Sequence, residues 1–399
     1  MSSAGPAPRG AFLFVVATLV SLHGCMAATR VAASLAVLHQ GHGEWVVGAL
    51  LSLYAVAPIV LSMWAGRLAD RTGFRRPVAW GVAMAVVGTV LPVLAQQLWA
   101  FALSALLTGG ALSVAAVAIQ REAGRMARGA DDLKRVFSWV ALGPALSNAI
   151  SPLVAGLVID HGGYRAAFAV ALALPLAAAW AASRVPAAHT SPREAAAEIA
   201  PQEPAWTLLR DPVLRNLLLV NVAMAAAWDS HSFTVPVVGH ARELSASAIG
   251  GVLSAFAVAA TAVRLAILAW AHRIGEARTL RAAITLATAV LAVYAWLPGT
   301  LGMMAGSALL GVALGAVQPM VLSTLHQATP ADRQGQALAL RMVFTNAATI
   351  SMPLLFGVLA AATTVAAPMW LMAMMLLAAR WPASRLERAA ASEADSRRV

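Results

Sequence analysis

Charge is what this chain has least of. Only 11% of its 399 residues are charged, while 60% are hydrophobic. No charge occurs from Trp45 to Ala65, and none from Pro77 to Ile119. Lysine occurs once, as Lys134 behind Leu133, so the chain has no Gly-Lys pair and no ATP-binding loop. HExxH, GxSxG and GxGxxG are missing as well, which removes common signatures of hydrolases and dinucleotide enzymes. Cysteine is single. Cys25 excludes a disulfide within the chain and reads as a buried structural thiol. A cleavage site near the N-terminus is lacking, and the first apolar stretch, from about Ala11 to Leu38, is too long for a signal-peptide core. No enzyme chemistry, cofactor or metal is expected.

What the chain has in abundance is apolar length. Its mean hydropathy is +0.75. Uncharged runs of about 20 residues recur, each long enough to cross a bilayer as a helix. Twelve spans are expected, at 11–38, 45–65, 77–96, 98–120, 136–159, 164–183, 213–238, 246–271, 280–297, 300–326, 336–360 and 365–381. Backbone polar groups in hydrocarbon need internal partners, so the spans read as helices. Pro58, Pro92, Pro144, Pro152, Pro236, Pro319 and Pro353 fall inside them, where they read as kinks.

The net charge of +11 and pI near 11.4 raise the question of nucleic acid, and the placement of the charge answers it. With both termini inside, all but four of the 28 Lys and Arg fall in inner segments or at inner ends of spans. The exceptions are Arg165 and Arg242 outside and Arg30 and Arg264 within spans. This is the positive-inside pattern of a polytopic membrane protein with cytoplasmic termini, and not a nucleic-acid patch.

The segment from Arg184 to Asp211 carries Pro186, Pro192, Pro201 and Pro204 with mixed charges and reads as a cytoplasmic linker. It separates a first six-helix bundle, 1–183, from a second, 212–399. The halves also match weakly. A shift of 202 lays LADRTG (68–73) on WAHRIG (270–275), a shift of 201 lays SPLVAG (151–156) on MPLLFG (352–357), and a shift of 203 lays SALL (104–107) on SALL (307–310). Three matches at nearly one period indicate an internal duplication, a trait of secondary transporters with a site at the repeat interface.

Residues 66–77 concentrate the missing charge: GRLADRTGFRRP. Gly66, Leu68, Ala69, Asp70, Arg71 and Gly73 match the signature loop of the major facilitator superfamily, which the chain resembles over its whole length. Phe74 departs from the pattern, standing where that family usually has a basic residue, with Arg75 and Arg76 behind it. The resemblance implies an all-α membrane protein with twelve transmembrane helices in two pseudo-symmetric bundles. It further implies that Asp70 lies near the start of span 11, around Gly335 to Arg341, as a cytoplasmic latch. A basic residue of the loop, Arg71 or Arg75, would then pair with Glu122 at the end of span 4. In span 5, Ser138, Ser147, Ser151-Pro152 and Ala155-Gly156 hold most of the glycine positions of a pattern found in this superfamily's proton-coupled exporters. Small residues there also serve helix packing.

Ionisable groups within the bilayer are costly and usually face a cavity or a partner. They are few: His23 and Arg30, seven apart on one face of span 1; Asp229 and His231 in span 7; and Arg264 near the inner end of span 8, where it reads mainly as snorkelling to the surface. Asp229 is the acid well inside a span and leads as the proton-coupling group, with His231 and His23 behind it. A regular helix cannot aim both 229 and 231 into one cavity. A shift of 201 lays Arg30 on His231, so Arg30 is expected to face the Asp229/His231 pair at similar depth. Gln120, Asn148, Gln318 and Asn346 complete the candidate lining.

The expected function is secondary transport of a small organic molecule across a bacterial inner membrane. The substrate is a drug or an endogenous metabolite such as a siderophore, and the machinery a monomer in the lipid bilayer using protons. Span 5 points to export by proton antiport; proton-coupled uptake is the alternative. A membrane-embedded enzyme or a transporter-like receptor is remote.

Overall fold

The computed structural model describes residues 9–126, 130–186, 204–270, 275–330 and 333–396. The expected all-helical architecture is present. Helix α1 is Arg9–His39, α2 Glu44–Thr72, α3 Arg75–Leu94, α4 Leu98–Met126 and α5 Ala130–Ser183. After a 3₁₀ turn at Ala205–Arg210 come α6 Pro212–Ala241, α7 Ala246–Trp270, α8 Glu276–Val293, α9 Gly299–Ala328, α10 Gln334–Ala362 and α11 Ala367–Ser396. Spans 5 and 6 are two helices, labelled together as α5, that meet at a non-helical break at Gly163. There φ is +78° with ψ near 177°, a combination reserved in practice for glycine.

Among the described residues nine segments are long and apolar enough to cross a membrane. One of them, Trp139–Ser183, contains the break at Gly163 and so holds two spans. Helices α6 and α11 fall short on composition, because α6 carries Asp229, His231 and several amides and hydroxyls, and α11 continues into a charged tail. The expected prolines all lie inside helices. In water an interior proline costs a helix about 3 kcal/mol. Large apolar side chains such as Trp80, Leu94, Leu301 and Met374 are exposed on the outside, a surface suited to hydrocarbon.

The sequence suggested a loop over 66–77, but α2 continues through Thr72 and the connection is only Gly73 and Phe74. Gly73 has φ +72° and donates its N–H to the Ala69 carbonyl at 2.9 Å, a left-handed helix ending that glycine makes without strain. Phe74 is 7% exposed and packs in a cluster with Val78, Ala115, Ala118 and Ile119. Apolar packing against α4 thus explains the departure at this position.

The described residues fall into two compact units. The first lies within Met1–His42, Leu50–Glu198 and Ser245–Ser254, the second within Gly43–Ala49, Ile199–Leu244 and Ala255–Val399. Within the first, α1 packs on α5 and α3 packs on both α4 and α5. Within the second, α6 packs on α10 and α11, and α8 on α9 and α11. Counted by span, these are the same pairings six spans apart, as a duplication requires. The expected linker centre, 187–203, lies outside the described residues, as does Arg273 of the second loop copy.

The duplicated segments also make matching contacts. In the first unit a Cβ added to Gly250 would overlap the Pro152 carbonyl. In the second, a Cβ added to Gly48 would overlap the Pro353 carbonyl. Pro152 and Pro353 are the prolines that the 201-residue shift superposes, and VVGALLS (46–52) lies over AIGGVLS (248–254) at a shift of 202. One feature is not duplicated: Asp160 accepts hydrogen bonds from the backbone N–H groups of Ala246 and Ser247, each at 2.9 Å, and so caps the start of α7.

Candidate functional site

Helix α6 begins cleanly. Asp211 accepts from the N–H groups of Val213 and Leu214 at 2.7 and 3.4 Å, and Pro212 takes the first helical position. The start sets the phase of everything above it. Asn221, Met224, Ala225, Trp228 and Asp229 are linked by steps of three and four, so they share one face. That face lines a cavity of about 270 Å³ within the second unit, near the lower end of the size range for small-molecule sites.

Three further helices close the cavity. Helix α7 supplies Arg264, and α9 supplies Leu314, Val317 and Gln318. Helix α10 supplies Arg341, Thr345 and Thr349, every fourth residue of one stripe. Asn221 Nδ2 donates to Thr345 Oγ1 at 2.9 Å, and that hydroxyl donates back to the Arg341 carbonyl at 2.9 Å. Arg264 Nε donates to the Gly315 carbonyl at 3.3 Å, and its guanidinium carbon lies 5.8 Å from the centroid of the Trp228 ring. Trp228 is held edge-to-face by Phe256, with centroids 4.5 Å apart. Arg264 therefore does not snorkel to the surface: it lines the cavity. Asp229 is 5% exposed on the same wall. Each such ionisable group costs about 2.5–3.5 kcal/mol on insertion scales, so three on one wall make it the candidate functional surface.

His231 is placed differently. Two residues on from Asp229, it points to the opposite side of α6. Its Nε2 shares a hydrogen bond of 2.8 Å with Ser307 Oγ, which also bonds the Tyr294 hydroxyl. Its ring stacks on Phe256 at 4.3 Å and 21°, and it is fully buried. It does not line the cavity.

In the first unit, His23 and Arg30 are both half-buried in α1. His23 Nδ1 and Arg30 Nε lack hydrogen-bond partners among the described residues. Neighbouring Thr29 bonds the Cys25 carbonyl at 2.9 Å and lies 3.5 Å from the Thr108 hydroxyl. Asn148 is half-buried and Gln120 exposed. In the second unit Gln318 lines the cavity, whereas Asn346 is exposed and outside the lining.

The GRLADRTGFRRP residues are placed in part. The side chain of Asp70, and with it the expected latch, lies outside the described residues. Gly66 faces open space. The expected pairing of Glu122 with Arg71 or Arg75 is replaced: Glu122 binds Arg125 one turn on, at 2.7 and 3.2 Å. Arg75 instead donates to the Val185 carbonyl at 3.1 Å, and Arg121 to the Ala69 carbonyl at 2.6 Å, while Arg71 is exposed. An i,i+3 partner on its own helix is nearer to hand than a side chain across a turn.

The sequence reading missed Arg341, Trp228, Asn221 and Thr345 as lining. The signal was there: 341, 345 and 349, and 221, 225 and 228, are polar, small or aromatic positions at helical intervals inside apolar spans. Among the described residues no three His, Cys, Asp or Glu side chains gather as a metal ion would require.

A duplicated all-helical membrane architecture with an ionisable cavity inside one bundle defines a polytopic solute transporter. The comparisons agree. The profile of the Major Facilitator Superfamily matches residues 13–307 and 217–397, and the chain belongs to that family. It is a multi-pass membrane transporter and not an enzyme. Two solved structures share the fold. The nucleoside transporter NupG matches with TM-score 0.76 and 12% identity over 94% of this chain and 99% of its own. A bacterial homologue of the human lysosomal transporter Spinster, in an inward-facing, unoccupied conformation, matches with TM-score 0.76 and 13% identity over 96% of this chain and 98% of its own. No curated protein matches.

Proposed function

We propose that the protein is a secondary active transporter of a small organic solute, coupled to protons through Asp229, and that solute and proton bind together. One observation carries this: a buried carboxylate shares a cavity wall with two guanidiniums, Arg264 and Arg341. A solute whose electron-rich group engages the arginines brings negative charge to the wall that Asp229 shares, and a proton on Asp229 accompanies it. Solute and proton thus travel in the same direction, which the proton gradient of a bacterial inner membrane would drive inward. The assembly is an N-terminal bundle over 1–183, a cytoplasmic linker over 184–211 and a C-terminal bundle over 212–399, with both termini cytoplasmic.

Export by proton antiport is the competing direction, and its support is the span-5 pattern. Packing accounts for that pattern independently. Ser147 donates to the Val20 carbonyl at 2.8 Å and the Gly143 carbonyl at 3.0 Å, and a Cβ at Gly24 of α1 would press on Ser151. Proteoliposomes tested with a panel of small metabolites and drugs separate the readings. Symport accumulates solute when the interior is alkaline, antiport when it is acid. Asp229→Asn should abolish either accumulation while sparing downhill exchange. Accumulation by that variant would remove Asp229 as the coupling group.

A further inference from the structure

The cavity wall carries two positive groups and one negative. Arg264 from α7 and Arg341 from α10 face it, and Asp229 is the acid in the lining. Two positive groups and one negative leave this wall with a net positive charge. Arg341 Nε is buried and has no hydrogen-bond partner among the described residues. Arg264 is fixed from behind, by its bond to the Gly315 carbonyl and by the Trp228 ring under its guanidinium. A guanidinium held in this way presents its remaining N–H groups as a rigid fork, which matches the paired oxygens of a carboxylate or phosphate.

We infer that the transported solute is an organic anion whose carboxylate or phosphate group is bound by Arg264 and Arg341. This rests on the transporter reading above and names the chemistry of its substrate. The uncharged body of the solute lies against Trp228, Met224 and Leu314, which form the apolar part of the wall. Positive charge on the wall selects against the other classes. A cationic solute meets two like charges, and a neutral one leaves a guanidinium of the wall without a counter-charge. The anion also explains the place of Asp229. Anion and carboxylate share one cavity wall and repel each other, so the anion binds best when Asp229 is protonated.

The test uses the purified full-length protein and matched probes. Carboxylic acids such as 4-phenylbutyrate and octanoate are each compared with the corresponding primary amide, amine and monophosphate ester, by calorimetry and by thermal stabilisation. The acid or the ester should bind at least ~10-fold tighter than the amide, which is the discrimination of one charge-assisted paired contact. Whichever of the two is tighter identifies the anionic group. Arg341→Gln and Arg264→Gln should each reduce anion binding ~10-fold or more and amide binding by much less. Arg341→Lys, which keeps the charge but not the fork, should fall between. Unliganded unfolding temperature and elution volume establish that each variant is folded. Anion affinity should fall as pH rises in the wild type and become independent of pH in Asp229→Asn.

Equal binding of acid and amide, tighter binding of the amine, or no binding by any acid or ester would overturn the inference. So would anion binding indifferent to both arginine substitutions. These failures leave proton coupling by Asp229 standing. Conversely, if anions bind through the arginines and Asp229→Asn still accumulates them, the coupling reading fails and the substrate class survives.

Discussion

Asp229 and His231 are two residues apart on α6, and their surroundings have almost nothing in common. Asp229 opens on a polar cavity with two arginines. His231 is sealed among Phe256, Ser307 and Tyr294. Both are ionisable groups inside a membrane helix, so composition alone ranks them together. The rotation of roughly 200° between positions 229 and 231 separates them, one toward solute and one toward packing. Phase thus decides which ionisable group reaches the cavity and which is packed away from it.

The largest expected effect lies on the cavity side. Asp229→Asn should reduce gradient-driven solute accumulation to background while leaving the unfolding temperature in detergent nearly unchanged, because the amide keeps the volume of the carboxylate. On the sealed side the signs reverse. His231→Ala should lower stability by about 2–5 kcal/mol, the range for truncating a large buried side chain. Its folded fraction should still accumulate solute in response to a proton gradient. A coupling defect in folded His231→Ala protein, measured in proteoliposomes with matched protein content, would show that the two sides are not separate.

A finer cut goes through Ser307. Its hydroxyl joins His231 Nε2 at 2.8 Å to the Tyr294 hydroxyl, which also donates to the Met303 carbonyl at 3.3 Å. Ser307→Ala leaves the imidazole without that partner, and an unsatisfied buried group costs about 1–3 kcal/mol. Tyr294 retains its bond to Met303 and limits the loss. Chemical or thermal unfolding of the purified variant should show a drop of that size, with solute affinity unchanged.

Much of the architecture was legible before any coordinates, since it follows from constraints that act over twenty residues at a time. Uncharged runs and the repeat near 201–203 lead to the expectation of a many-spanned all-helical membrane protein, and the fold is of that kind. The repeat extends also to Gly48 and Gly250. In the site, Asp229 was legible because an acid inside an apolar span needs a reason. Arg341 was not, because it stands a few residues from the expected inner end of its span, where an arginine already satisfies the positive-inside pattern. Nor was the partner of Glu122: sequence offers Arg71, Arg75, Arg121 and Arg125 within reach of the same helix ends, and only side-chain geometry selects Arg125. Phe74 gave its own signal, an apolar residue in a charged run, and it marks core packing at the α2–α3 turn.

The smallest expected effect repeats the comparison one position apart on α10. Thr345 faces the cavity and accepts from Asn221 at 2.9 Å, while Asn346 is exposed and lies outside the lining. A step of one residue turns the helix by about 100°, enough to move a side chain off the cavity wall. Thr345→Val keeps the shape of the side chain but deprives Asn221 of its acceptor, at a cost of about 0.5–1.5 kcal/mol. It also removes a polar group from the wall, so solute affinity should fall a few-fold. Asn346→Ala should stay within about 0.5 kcal/mol of wild type, as surface changes do, with affinity unchanged. Binding isotherms of the two variants with one solute decide the matter. If Asn346→Ala weakens binding as much as Thr345→Val, the stripe 341, 345 and 349 does not define the solute-facing side of α10.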